Sequence, residues 1–268
     1  MKILMLGDVV GKSGKNAIKK NLSKIIDENK INFTIINGEN SSDDGRGITK
    51  LDAEDFFEQG VDVITSGNHI WDKKETTDFI NKEKRLLRPA NFPDGTPGNG
   101  YGIFPIKNNN FKIGVINLMG NVYMRKTEDV FDAAKKIKEK FVLKKNVDFI
   151  LVDFHGEITS EKMAIGHFFD GVTTCVVGTH THVPTADTRI LEKGTAYQTD
   201  IGMCGDYNSV IGMNKENSLK KFLKDKNATT HFPAEKEATI SGIIIEADHK
   251  TGLATKVLRI IRGGSLNI

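Results

Sequence analysis

The sequence has little cysteine: only Cys175 and Cys204 in 268 residues, with no C-x-x-C between them. That allows one disulfide at most and excludes a disulfide scaffold. No apolar run approaches the roughly 18 residues that a membrane-spanning helix needs. Neither sign of charge dominates: 38 basic and 35 acidic residues leave a formal net charge of +3. Bulk charge therefore gives no argument for a nucleic-acid-binding surface. The opening "MKILMLGDVV" is too short for a signal-peptide core and has no small-residue cleavage site, so it reads as a strand. Internal repeats, low-complexity tracts and linkers are also missing. What is present, 38% hydrophobic and 27% charged residues, suffices for a packed core. These features predict a single α/β domain over residues 1–268, in the cytoplasm and without a membrane partner.

Over the first two thirds, short β-branched runs alternate with helical patterns. "KILML" ends at Gly7-Asp8, "FTIIN" at Gly38-Glu39-Asn40 and "VDVIT" at Ser66-Gly67-Asn68-His69. Between them, Ile18, Leu22, Ile25 and Ile26 form a helical stripe, and Thr49 and Gly60 bracket a second helix. Repeated strand–loop–helix units predict a largely parallel sheet covered on both faces. "YGIFPI" and "FKIGVINL" read as a hairpin, followed by a helix over about 127–142 and by "VDFILVDFHGE". Then come a short helix at "SEKMAIGHFF" and a strand at "TTCVVGTHTH". "TRILEKGTAYQTD" reads as another hairpin, and "ATISGIIIEAD" pairs with "KVLRIIRG". The predicted architecture is α/β, with two packed mixed β-sheets flanked by helices in an α/β/β/α sandwich.

Ligands of α/β sheets bind beyond the carboxyl ends of the strands. Five strand-like runs end there in metal-ligand side chains: Asp8, Glu39 with Asn40, Asn68 with His69, His155, and His180 with His182. Taken singly, each has an ordinary reading. Asp8 suits a helix cap, "GEN" a turn, Asn68-His69 a loop, and His155 a core position. Taken together they supply carboxylate, amide and imidazole, which suit manganese, iron or zinc better than calcium. They suffice for two metals, with a carboxylate such as Glu39 able to bridge. His180 and His182 would share a face if extended, and Gly178 admits close backbone approach. Thr179, Thr181, Thr185 and Asp187 either orient the histidines or cap the loop. His167, His231 and His249 read as structural or exposed. Trp71 and Tyr123 read as packing residues more readily than as platforms for a base.

The order "GD", "GEN", "GNH", "H", "GTHTH" resembles the calcineurin-like metallophosphoesterase superfamily, whose pattern runs D-x-H, G-D, G-N-H, H, G-H-x-H. Two departures, Val9-Val10 where D-x-H needs its histidine and Glu39 for the second aspartate, match the YmdB-type branch. That likeness is carried by "GDVVGKSG", "NGEN", "TSGNHIWD", "DFHGE" and "GTHTHVPTAD" and spans essentially the whole chain. The resemblance implies a dinuclear centre, iron foremost, with manganese or zinc compatible. Asp8, Asn40 and His182 would hold one metal, and Asn68, His155 and His180 the other, with Glu39 shared. It implies His69 as proton donor. It also implies a phosphodiester substrate, notably a 2′,3′-cyclic nucleotide or an RNA-derived cyclic phosphate. The chemistry is consistent with this, since two metals generate a hydroxide nucleophile and clamp phosphate oxygens.

Two other readings compete. "GDVVGKSG" approaches a P-loop, but the glycine required by G-x-x-x-x-G-K-[ST] falls on Leu6, and the histidines stay unexplained. A non-catalytic module that binds metal and nucleotide for regulation would use the same ligands. His69 argues against it, because a structural site needs no spare acid. Oligomeric state is not written in the sequence, and a homo-oligomer is compatible with it.

Overall fold

A computed structural model describes residues 1–266. The first half runs β1 (Lys2–Val10), α1 (Gly11–Asn29), β2 (Phe33–Asn40), α2 (Lys50–Glu58), β3 (Val63–Thr65) and α3 (Lys74–Phe79). β4 (Tyr101–Pro105), β5 (Lys112–Met119), α4 (Val130–Lys140), β6 (Phe149–His155), α5 (Thr159–Phe168) and β7 (Cys175–Thr179) follow. The chain closes with β8 (Arg189–Ile190), β9 (Ala196–Gln198), β10 (Met203–Cys204), α6 (Lys215–Phe222), β11 (Ile240–Ala247) and β12 (Ala254–Arg262).

The strands form two mixed six-stranded sheets. One is ordered β12-β11-β1-β2-β3 with β10 also on β1, the other β4-β5-β6-β7-β9-β8. β1, β2 and β3 are parallel, as are β5, β6, β7 and β9, while the expected hairpins β4–β5, β8–β9 and β11–β12 are antiparallel. Strand alternation explains the layering. Ile3 and Met5 of β1 meet Phe149 and Leu151 of β6 in the core between the sheets. Leu4 and Leu6 face the other way, onto Ile18, Leu22 and Ile25 of α1. On the far side, Ile150, Val152 and Phe154 pack against Ala134 and Ile137 of α4 and Ile165 of α5. The α/β/β/α sandwich predicted from the sequence is the observed fold. No helix among the described residues is long and apolar enough to cross a membrane.

Three local features differ from expectation. β1 and β2 run on through Asp8 and Asn40, so both residues lie inside strands rather than after them. β10 makes this extension favourable, pairing Asp8 with Met203 and Val9 with Cys204 along the edge that β11 leaves at Leu6. The β1–β2 register shifts on both sides of Asp8, an irregularity of the kind that re-aims a side chain. α3 and α6 have no apolar stripe long enough to have announced them. The P-loop-like stretch serves packing: buried Ser13 donates its hydroxyl to Ala234 O at 3.1 Å. Cys175 and Cys204 are buried free thiols in different sheets.

Candidate metal centre

Parallel pairing brings the carboxyl ends of β1, β2 and β3 to one edge, and those of β6 and β7 to the facing edge of the second sheet. The two sheets meet there through Glu39 and His155. His155 Nε2 lies 2.9 Å from Glu39 Oε1, 3.1 Å from Asn68 Oδ1 and 3.0 Å from His180 Nδ1. An imidazole nitrogen carries one proton or one lone pair, so no protonation state satisfies three polar neighbours at once. Donor atoms of Glu39, His155 and His180 all lie within 4.8 Å of one another, as in a cation site.

Asp8 Oδ1 sits beside this cluster, 3.8 Å from His155 Nδ1 and 4.0 Å from His182 Nε2. Asp8 Oδ1 and Asn40 Oδ1 are both buried without a hydrogen-bond partner. Their other polar atoms are engaged: Asp8 Oδ2 accepts from His180 N at 3.1 Å, and Asn40 Nδ2 donates to Gly45 O at 2.9 Å. Leaving such acceptors unmet costs about 1–3 kcal/mol each, and a cation beside them removes that cost. His182 Nδ1 lies 2.8 Å from Ile211 O, which holds a proton there and turns Nε2 toward Asp8. Carboxylate, amide and imidazole therefore converge in a donor set that suits a transition-metal ion.

The histidine loop is not extended, contrary to the expectation from i, i+2 spacing. β7 stops at Thr179, and His180 and His182 adopt φ of 100° and 65°. Strained non-glycine backbone of this kind persists only where its surroundings enforce it. Here a buried ion pair does so. Lys162 Nζ donates to Asp200 Oδ2 at 2.6 Å and to Thr179 O at 2.8 Å, while Asp200 Oδ2 also accepts from Thr181 N at 3.1 Å and Thr181 Oγ1 at 2.7 Å. The twist sends His180 to His155 and His182 toward Asp8. Gly178 permits it, because a Cβ there would strike Thr199 O. Removing one member of a buried pair strands the other charge. Lys162→Met is therefore expected to destabilise the protein by about 3–5 kcal/mol in urea unfolding. A loss below about 1 kcal/mol would show that the clamp is not needed.

Behind His155 a second buried chain fixes the ring. Its Nδ1 meets Thr179 Oγ1 at 2.9 Å, Thr179 donates to Asp153 Oδ1 at 2.8 Å, and Asp153 accepts from Asn37 Nδ2 at 3.0 Å and from Thr65. Of the four residues considered as orienters of the histidine pair, only Thr179 touches an imidazole, and it is that of His155. Thr181 serves Asp200, while Thr185 and Asp187 brace each other and Thr199. Gly67 keeps the loop after β3 against this ring, since a Cβ there would overlap the His155 imidazole. His69 Nδ1 is held at 2.8 Å by Asp72, and its backbone N donates to Glu39 Oε2 at 3.0 Å.

Electrostatics prepare the site for cations. Burial opposes charge on His155, but Glu39, then Asp8 and Asp153, outweigh it and lift its pKa to about 9. Burial also opposes charge on Glu39, yet His155 and then His69 hold it down to about 2. His180 is lowered to about 3, first by burial and then by His155. At neutral pH, Glu39 and His180 are thus ready to face a cation, whereas His155 would have to give up a proton, and burial pushes the Asp8 carboxyl up as well. Metal loading near pH 7.5 is expected to release at least about one proton per chain, from His155 first, read by pH-stat titration. Loading without proton release would contradict this charge state.

All eight sequence-derived candidates lie at this centre or on the cavity beside it. That cavity, about 260 Å³, is lined by Glu39, Asn40, His69, His180 and His182, and also by Arg46, Ile211, Met213, Ser218, Phe222 and His231. The last six were missed. His231, expected to be structural or exposed, is a lining residue, because the arm between β10 and β11 folds back over the site. His249 is exposed, next to Asp248, and Trp71 packs on Phe92 as expected. Tyr123 is 86% exposed rather than packed. Asp72 was legible only in retrospect, as a carboxylate three residues after His69.

Two facing mixed sheets with such a polar cluster at their strand ends are the architecture of the calcineurin-like phosphoesterases. A 5′-nucleotidase from Candida albicans SC5314 shares that fold at a TM-score of 0.56 and 13% identity, over 97% of this chain and 51% of that one. The chain belongs to the YmdB-like protein family, whose model matches residues 4–260. A 2′,3′-cyclic-nucleotide 2′-phosphodiesterase of Bacillus subtilis (strain 168) is 45% identical over 262 residues, 97% of either chain. The crystal structure of a novel phosphatase from Mycoplasma pneumoniae aligns at a TM-score of 0.90 and 37% identity, over 98% of this chain and 93% of that one.

Proposed function

We propose that the protein is a metal-dependent phosphodiesterase acting on 2′,3′-cyclic nucleotides. The observation that carries this reading is the crowding of Glu39, Asn68 and His180 around a single His155 nitrogen, beside two buried oxygens without donors. The name of the Bacillus relative supports the substrate class. Asn68, His155 and His180 would hold one metal, Asp8, Asn40 and His182 the other, and Glu39 would be shared. Iron is the first candidate, and manganese or zinc also suit these ligands. The pair supplies an activated water and neutralises phosphate charge when bound.

The chain's own residues do the rest. The Lys162–Asp200 clamp and the Thr179–Asp153 chain hold the imidazoles in place before substrate arrives. His69, part-exposed on the cavity wall with its Nδ1 fixed by Asp72, keeps Nε2 free to deliver a proton to the leaving sugar oxygen as the P–O bond breaks. The test is metal analysis of purified protein, coupled to turnover of bis-p-nitrophenyl phosphate and 2′,3′-cyclic AMP. About two metals per chain together with diester turnover support the reading. Metal-replete protein inert on every diester would sink it in favour of a regulatory module that binds metal and nucleotide.

A further inference from the structure

The cavity is polar where it touches the histidines and apolar away from them. Val210, Ile211, Met213 and Phe222 line its apolar part. Phe222 is 78% exposed and Ile211 54% exposed, although both lie against a charged centre. Two polar residues, Ser218 and His231, interrupt this wall, and each carries a buried polar atom without a partner. Ser218 is 1% exposed and its Oγ makes no hydrogen bond, and His231 Nδ1 makes none either. Buried polar atoms left unmet are costly, so although both atoms are closed to water as they stand, a small turn of either side chain toward a ligand would gain a missing bond.

The wall is tied to the centre. Ile211 O is the acceptor that fixes His182 Nδ1 at 2.8 Å, and Ile211 itself adopts φ of 47°, which is rare for a β-branched residue. At about 260 Å³ the cavity is smaller than the roughly 300–1,000 Å³ of a site that encloses a whole ligand. It therefore suits one part of a substrate whose phosphate lies at the histidines. An aromatic face next to unmet hydrogen-bonding groups is what a heteroaromatic ring with polar edges requires. A sugar alone would leave the aromatic and aliphatic surface unused.

We infer that this cavity is a nucleobase subsite in which Phe222 stacks on the base and Ser218 Oγ and His231 Nδ1 hydrogen-bond its edge. The inference rests on the cyclic-nucleotide reading and goes further by assigning specificity to the arm between β10 and β11. It is tested with Phe222→Ala and Ser218→Ala, each loaded with metal. The readout is the ratio of kcat/KM on 2′,3′-cyclic AMP to kcat/KM on methyl riboside 2′,3′-cyclic phosphate, which has no base. The expected result is a fall in that ratio of about tenfold or more for Phe222→Ala, the order of one base-stacking contact. A smaller fall is expected for Ser218→Ala. Equilibrium binding of adenosine 3′-monophosphate, which keeps the base, should weaken in parallel. An unchanged ratio in both variants overturns the subsite while leaving the diesterase reading intact. If the wild type is inert on both diesters, the hydrolase reading alone fails. Loss of adenosine 3′-monophosphate binding in Phe222→Ala would then still support the subsite, and retained binding would overturn it.

Discussion

Glu39→Gln is expected to empty the centre of metal and to lower turnover by at least about 10³-fold. Glu39 is 1% exposed, and its two oxygens face different partners. Oε1 lies 2.9 Å from His155, and Oε2 accepts the His69 backbone N–H at 3.0 Å. Glutamine keeps the shape but loses the charge that offsets a cation, and its amide can present N–H where a lone pair is needed. Metal assistance is worth several kcal/mol of transition-state stabilisation, and each 1.4 kcal/mol is tenfold in rate. The two histidines give the contrast. His180→Ala and His182→Ala should each weaken one metal first, because His180 approaches His155 and His182 approaches Asp8. Metals per chain by elemental analysis, read beside kcat, separate the three variants. A Glu39→Gln protein that keeps two metals per chain and works within tenfold of wild type would refute the shared-ligand assignment.

The layering was legible because β1 and β6 are apolar on both faces, as strands covered on both sides are. Ile3 and Met5 enter the core between the sheets and Leu4 and Leu6 the core under α1, while Thr49, read as a cap, makes with Asp52 the capping box that starts α2. The candidate ligands were legible because parallel strands deliver their carboxyl ends to one edge. The alternation of side chains along a strand places Phe149, Leu151, Asp153 and His155 on one face of β6, so Asp153 could have been read as the neighbour of the candidate ligand His155. What was not legible depends on distant pairing. Nothing near Lys162 announces that it will be buried against Asp200: one is a lysine on a short helix, the other a polar residue just after a hairpin strand. The left-handed backbone of His180 and His182 is likewise imposed from outside the motif. The arm between β10 and β11 was opaque for another reason. Its apolar residues Ile211, Leu219 and Phe222 are exposed, so they follow no buried period and look like loop.

His69→Ala should show the second large effect, and its pattern across substrates matters more than its size. The ring touches Asp72, and only the backbone N–H of His69 reaches Glu39. Truncating the side chain therefore spares the ligand cluster, and the variant should retain its metals. Loss of a general acid costs typically 10²–10⁴-fold, and that is the fall expected in kcat on 2′,3′-cyclic AMP, whose leaving group is a strongly basic sugar alkoxide. p-Nitrophenoxide is a far weaker base and departs without a proton, so on bis-p-nitrophenyl phosphate the same variant should lose much less. Asp72→Asn, which keeps the ring but weakens its anchor, should fall between wild type and His69→Ala on the cyclic nucleotide. Equal losses on both substrates would mean that His69 shapes the cavity instead of supplying a proton. Near-normal turnover of the cyclic nucleotide would remove it from the reaction altogether.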